Sequence, residues 1–256
     1  MVEGVATHGL ITAAIHILER LRRTKFLKYR VWRPNADMRV VFVAMLRHGE
    51  SGKYVLVRNF HRPQTFGPLG GVYKYFDAAR SEFDRVLFRP EDTGPDMTND
   101  LRGYLPRKNL SWIDKWFRRR VDRESPSECL RRELGEELKE IGLSTRLVVP
   151  TSLQFRHVRT VSEGPVKATG RPCLQYRVFE VFEPIYTSSS ALTFFNNLTA
   201  AAATHPDLLL ATSDEILSRR VRDGRSPGPQ AAYLVGRRRV SADDPPFLSM
   251  TGKPRV

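Results

Sequence analysis

The chain has almost no cysteine. Two cysteines in 256 residues, Cys129 and Cys173, supply neither a disulfide framework nor a thiolate metal site. A reducing compartment suits such a chain, and the cytoplasm is the expected location. No run of 18 or more apolar residues occurs, so no segment is expected to span a bilayer. The apolar stretch over residues 10–21 is interrupted by His16, Glu19 and Arg20, and the first four residues carry no positive charge, which does not make a signal-peptide pattern. The histidines, His61 and His157 among them, stand at no metal-ligand spacing. Ser125 and Ser127 have no base near them in sequence, so a serine nucleophile has no support. No internal repeat is visible.

Positive charge is what the chain has in excess. Forty-two Lys and Arg against 28 acids give a net +14. The surplus is clustered over residues 20–33, 107–123 and 219–239. Such a field attracts polyanions such as nucleotides, nucleic acid or an acidic protein. It is equally the solubilising surface of an arginine-rich chain, and charge alone does not choose between the two. A basic nucleic-acid-binding protein is therefore one reading, with Arg237, Arg238 and Arg239 as candidate contacts, although no reading motif accompanies them.

With 41% hydrophobic residues the chain can bury a substantial core. Residues 8–23 place apolar side chains at helical spacing and end in basic residues. This predicts an amphipathic helix that docks on the body, on a partner chain, on an anionic membrane surface or on a second copy as a dimer arm. Residues 40–46 are a continuous β-branched and aromatic run, read as a buried strand. Residues 48–52 read as a hairpin turn and 54–59 as the returning strand. Phe66-Gly-Pro-Leu-Gly70-Gly71 then marks sharp backbone geometry. Residues 72–123 are less regular, with a polar loop over 90–99 and a short amphipathic helix around Trp112, Trp116 and Phe117. Those aromatics, beside Arg118, Arg119 and Arg120, either cap a nucleotide or pack the inserted helix on the core. Further strands are predicted over 147–159 and 172–184. Further helices are predicted over 191–204, 213–217 and, after a turn, 227–234. The proline-rich tail from Asp243 should be loosely held. The organisation is α+β: residues 1–36 as helix and basic linker, 37–240 as one domain with an insertion at about 72–123, and 241–256 as a tail.

The most informative segment is acidic. Ser125 is placed as a helix N-cap, Pro126 at the first position and Glu128 three residues after the cap. The helix should run to about Glu140, with Gly142 as its stop. Cys129 takes a small-residue position on it and should be buried. Glu133, Glu136 and Glu137 fall within about one turn, where residues three and four apart share a face. Crowded anions repel unless a cation fills the cluster. Oxygen donors alone suit Mg2+ or Mn2+ better than zinc, which points to metal-assisted chemistry on a phosphorylated compound. The alternative is a solvated face ion-paired with Arg131, Arg132 and Lys139.

Glu124, seven residues, Arg132, Glu133, Leu134, Gly135, Glu136 and Glu137 together fill the pattern Glu-x7-Arg-Glu-Leu-x-Glu-Glu. This resembles the core of the Nudix box, and Gly70-Gly71 resembles the diglycine that precedes it. The resemblance covers roughly residues 38–240. With Arg62-Pro, residues 66–75 and residues 213–216, the chain is similar to the SMODS-associated Nudix domains of bacterial conflict and nucleotide-signalling systems. Two departures stand out. About fifty residues separate Gly71 from Glu124, so the box's opening glycine falls on Arg118. Its closing glycine falls on Lys139, and Gly142 comes three positions late.

The resemblance implies an α/β/α sandwich with a mixed sheet and a divalent metal, Mg2+ or Mn2+. It implies hydrolysis of a nucleoside-diphosphate-linked substrate. Glu136 and Glu137 would ligate the metal, with Glu133 helping or orienting a water and the Gly70 carbonyl as an added ligand. Arg132 would hold a glutamate by charge-assisted hydrogen bonds. Gly71, Tyr73 and Arg62 are candidate substrate contacts. Of Tyr73 and Tyr75, one is expected at the pocket mouth and the other in the core. Glu124 and Glu215, the latter in a late loop, are candidates for supporting roles, and Glu215 is also a candidate base. The competing reading is a non-catalytic module that senses a nucleotide or cyclic oligonucleotide and acts through a partner in a signalling or defence system.

Overall fold

The computed structural model describes residues 35–236 except 61, 92, 93, 95, 96, 169, 170 and 222, and for 62 and 63 the backbone alone. The helix expected at residues 8–23, the basic residues Arg237, Arg238 and Arg239, the tail, His61 and the Arg62 side chain lie outside that description.

Among the described residues, nine strands and six α-helices follow one another: β1 Asp37–Leu46, β2 Lys53–Asn59, β3 Arg62–Pro68, α1 Arg80–Arg85, β4 Arg89–Pro90, β5 Arg102–Pro106, α2 Leu110–Arg119, α3 Pro126–Glu140, β6 Gln154–Lys167, β7 Leu174–Ile185, α4 Ser189–Ala202, β8 Leu208–Thr212, α5 Ser213–Ser218, β9 Ser226–Pro227 and α6 Ala232–Val235. Five strands form a mixed sheet in the order β4-β5-β1-β7-β6, and four form a second in the order β8-β2-β3-β9. The α+β class and the Nudix-like layering of mixed sheet and helices are those the sequence implied.

β1 is the axis of the larger sheet. Its Val40, Phe42, Ala44 and Leu46 have no exposed surface and belong to the main core, while Met45 enters a second apolar cluster. A strand buried on both faces needs a continuous apolar run rather than an alternating one, which is what residues 40–46 supply. β7 pairs with it in parallel and β5 antiparallel. Parallel partners require a long crossover, and α3 lies within it. α3 packs its buried Leu130, Leu134 and Leu138 into the main core and lies against β1 and β6.

The turn over residues 48–52 is tight, with Lys53 N donating to Glu50 O at 3.0 Å. It does not make a hairpin, because β1 and β2 belong to different sheets. The flank of β1 that a hairpin would use is taken by residues 69–73: Leu46 N donates to Leu69 O (2.8 Å), Ala44 N to Gly71 O (2.9 Å) and Tyr73 N to Phe42 O (3.1 Å). The strand expected over 147–159 begins later, at Gln154. Residues 147–153 are a turn-rich connection in which Pro150 has no N–H to give a ladder.

The insertion is part of the body. β5 continues the β1 flank that residues 69–73 leave, and Phe83, Phe88, Leu105, Ile113, Trp116 and Phe117 all join the main core. Trp116 is 2% exposed and meets Phe83 edge-on with ring centroids 4.6 Å apart, while Phe117 stacks on Phe42 at 4.3 Å. The aromatics of α2 therefore pack on the core. Arg118 pairs with Asp114 and Arg120 with Glu180.

Candidate functional site

The acidic helix starts as its sequence dictates. Glu128 N donates to Ser125 Oγ (3.3 Å) and Ser125 N donates to Glu128 Oε2 (2.7 Å), a reciprocal cap with Pro126 at the first position. Its end explains the late glycine. Gly142 takes φ +73°, Gly142 N donates to Lys139 O (3.1 Å) and Leu143 N donates to Leu138 O (2.8 Å). This paired closure needs a left-handed residue after the cap, and Gly142 supplies it. The helix thus runs through Lys139.

The fifty-residue spacer is closed at its base. Glu124 N donates to Lys74 O at 2.9 Å and Lys74 N donates to Glu124 Oε2 at 2.9 Å. Phe76 N donates to Asp122 O at 2.8 Å. The two ends of the insertion therefore lie side by side, and the diglycine meets the acidic helix as though a short loop joined them.

Arg132 organises the site. Its Nε and Nη2 donate to the two oxygens of buried Glu124 at 2.8 and 2.9 Å, Nη2 donates to Val72 O at 2.8 Å, and Nη1 reaches Glu133 at 2.8 Å and Glu136 at 3.1 Å. The glutamate it holds in a bidentate grip is Glu124. Burial opposes the charge on this guanidinium, but the bonds to Glu124 and the charges of Glu133 and Glu124 hold it above the ordinary arginine range.

The diglycine has a steric role. A Cβ at Gly70 would overlap the Ala44 carbonyl, and one at Gly71 would overlap the Glu133 carboxylate. Gly70 also holds φ +113°, a conformation that favours glycine. Gly70 N donates to Glu137 Oε2 at 3.1 Å. Two carboxylates of α3 are thereby turned onto the diglycine. Burial pushes Glu133 up to about 7; Arg132 pulls it down, while Glu136 and Asp100 add to the rise. Burial also raises Glu137 well above the usual carboxylate range, Glu133 adds to this, and the bond from Gly70 opposes it. Glu136 is the most exposed of the three, with half its side chain open to solvent.

Burial is the main cause that raises both inward carboxylates, and a cation beside them would favour their charged forms. Among the described residues no three carboxylate, imidazole or thiol groups form a ready-made metal cage. Mg2+ keeps several waters and binds proteins through one or two carboxylates together with substrate phosphates, so an oxygen-only pair such as Glu133 and Glu137 fits it, with Glu136 beside them.

Not every expected residue reaches the site. Tyr73 has no exposed surface; its hydroxyl donates to Glu180 at 2.6 Å and its ring lies under Arg123. Tyr75 is buried as well. Residues two apart on an extended segment share a side, so both point to the core and neither stands at the pocket mouth. Glu215 sits in α5, where its carboxylate accepts from Thr212 N at 2.9 Å in a capping box. That bond accounts for it, and it is a helix cap rather than a loop base. Cys129 is buried, as its small-residue position required.

A cleft of about 560 Å3 opens beside the diglycine, lined by Arg58, Asn59, Phe60, Gly67, Gly70, Glu137 and Glu140 among others. Sequence reasoning missed Arg58, Asn59 and Phe60. The available signal was Phe60, an aromatic directly after the strand predicted over 54–59; 47% of its surface is exposed. Asp100, a buried carboxylate of the insertion, was missed too; it pairs with Arg102 at 2.5 Å and acts on Glu133 through charge.

A family model described as the SMODS-associated NUDIX domain matches residues 37–235. No curated protein and no solved structure matches the chain.

Proposed function

The chain belongs to the SMODS-associated NUDIX domain family, and from that membership we propose that it hydrolyses a nucleoside-diphosphate-linked substrate with the help of a divalent cation, Mg2+ or Mn2+. Nudix domains form a hydrolase family that acts on nucleotide-type substrates and generally uses divalent metals. The observation that carries the proposal is the pairing of the acidic helix with the diglycine, Glu137 on Gly70 N and Glu133 against Gly71.

Glu133 and Glu137, with Glu136 beside them, would hold the cation, and the Gly70 carbonyl is a further candidate ligand. When bound, such an ion neutralises a diphosphate and activates a water. The chain's own groups do the positioning. Glu124 fixes the Arg132 guanidinium, and Arg132 in turn fixes Glu133 and Glu136. The cleft lined by Phe60 and Arg58 receives the nucleotide, its exposed ring offering a face for a base. Gly71 keeps the backbone open to the substrate, and Arg62 stands on the strand that leads there. The substrate is a small nucleotide-type molecule in a bacterial nucleotide-signalling or anti-phage system, with a protein partner from that system.

One observation favours a second reading. Glu133 and Glu136 both engage Arg132, so two of the three acids are already partnered. A non-catalytic module that senses a nucleotide or cyclic oligonucleotide would have this arrangement. Incubation with a panel of nucleoside-diphosphate compounds and Mg2+, run beside calorimetry, separates the two. Product that disappears in Glu136→Gln and Glu137→Gln supports the hydrolase. Tight binding without product supports the sensor, and full activity in both variants contradicts the proposed metal site.

A further inference from the structure

A second cleft, of about 580 Å3, opens at the other end of β2, between the turn after β1 and the β6–β7 pair. Three cations line it, Arg47, Lys53 and Arg156, and among its described lining residues Glu183 is the one carboxylate. Both arginines converge on Glu183: Arg47 Nη1 lies 3.4 Å from Oε2, and Arg156 Nε lies 2.9 Å from Oε1. Three positive charges against one negative leave two in excess. His48, in the floor, adds none at neutral pH, because burial pushes its imidazole down to about 4. Its Nε2 is held by Phe195 O and Thr199 Oγ1.

Two further observations show positive charge that Glu183 only partly meets. Arg47 Nε is buried and meets no acceptor among the described residues. The hydroxyl of Tyr54 reports the local field: burial acts to raise it, yet hydrogen bonds with Arg47 and Ser213 and the charges of Arg47 and Arg159 bring it below the ordinary tyrosine value. At the rim, Tyr186 leaves half its surface in solvent. Guanidinium groups recognise phosphate, and an exposed aromatic ring stacks on a base.

We propose that this cleft is a second ligand site, which binds the phosphates of a nucleotide through Arg47, Lys53 and Arg156 while Tyr186 stacks on its base. It is separate from the acidic helix. Tyr54 lines this cleft and Asn59 the other, five residues apart on one strand, or about 17 Å at the rise of an extended chain. Its charge is opposite in sign to that of the acidic helix, so it requires no divalent cation.

Calorimetric titration of the full chain with ADP and with GDP, in EDTA, tests this. Saturable binding is expected in wild type and in Glu137→Gln alike. It should weaken at least tenfold in Lys53→Ala/Arg156→Ala, whose altered side chains are exposed, with circular dichroism confirming the fold. Tyr186→Ala should weaken ADP and leave inorganic pyrophosphate unchanged. The proposal is overturned if neither nucleotide binds without metal, if the double variant binds as tightly as wild type, or if Tyr186→Ala weakens ADP and pyrophosphate equally. Because hydrolysis is read in Glu137→Gln and metal-free binding in the basic-cleft variants, failure of one reading is distinguishable from failure of the other.

Discussion

At the scale of the residue, the site is governed by which atoms are allowed to approach. Gly71 and Gly135 make the contrast. A methyl group at Gly71 would enter the Glu133 carboxylate, whereas at Gly135 it meets nothing within 4 Å. Gly71→Ala should cost about 1–3 kcal/mol by forcing the Glu133 carboxylate off its bond to Arg132 and reduce any hydrolytic activity at least tenfold. Gly135→Ala, in the interior of α3, should stabilise by up to about 1 kcal/mol. Urea denaturation of both variants checks the pair, and similar effects would mean that the diglycine does not make room for the acid. His48 gives a pH signature. Its folded imidazole lies at about 4 against an ordinary 6.5, so the unfolded chain binds the proton first as pH falls. The stability it contributes is full above about pH 6.5 and is lost on the way down to about pH 4, up to about 3 kcal/mol. Between pH 7.5 and 5.0, the urea midpoint of His48→Gln should fall less than that of wild type; equal falls would rule the assignment out.

At the scale of the element, local signals were legible and pairings were not. The caps of α3 were written in Ser125, Pro126, Glu128 and Gly142, because each acts within a few residues of itself. The strand character of β1 followed from its apolar run and that of β7 from its alternation of Leu174, Tyr176, Val178 and Phe182. The partners did not follow. Nothing in residues 40–59 says that β1 and β2 enter different sheets, since the competing segment, residues 69–73, is further along the chain. Tyr73 and Tyr75 share a parity, so strand alternation sets them on the same side, and both join the core. The insertion looked irregular because its strands are short and pair across long separations. Its packing, however, makes it core. Trp116→Ala should destabilise the whole chain by about 3–5 kcal/mol, read as a shifted guanidinium midpoint of a single transition. A loss under about 1 kcal/mol, or separate melting of the insertion, would show that it is an appendage.

At the scale of the molecule, a chain with a net charge of +14 holds a small region of opposite sign. That region is the face of α3 against the diglycine, where Glu133 and Glu137 are turned inward and Glu124 locks Arg132 between them and the insertion. The sequence motif named these acids, but their orientation came only with the closure of residues 74–76 on 122–124. Among the described residues no helix is long and apolar enough to cross a membrane. The most direct measurement of the central claim is Mn2+ binding followed by electron paramagnetic resonance. Saturable binding at millimolar metal is expected in wild type and in Glu183→Gln and should be lost in Glu137→Gln with the fold intact. Binding that is unchanged in Glu137→Gln, or no saturable binding to the folded wild-type chain, would contradict it.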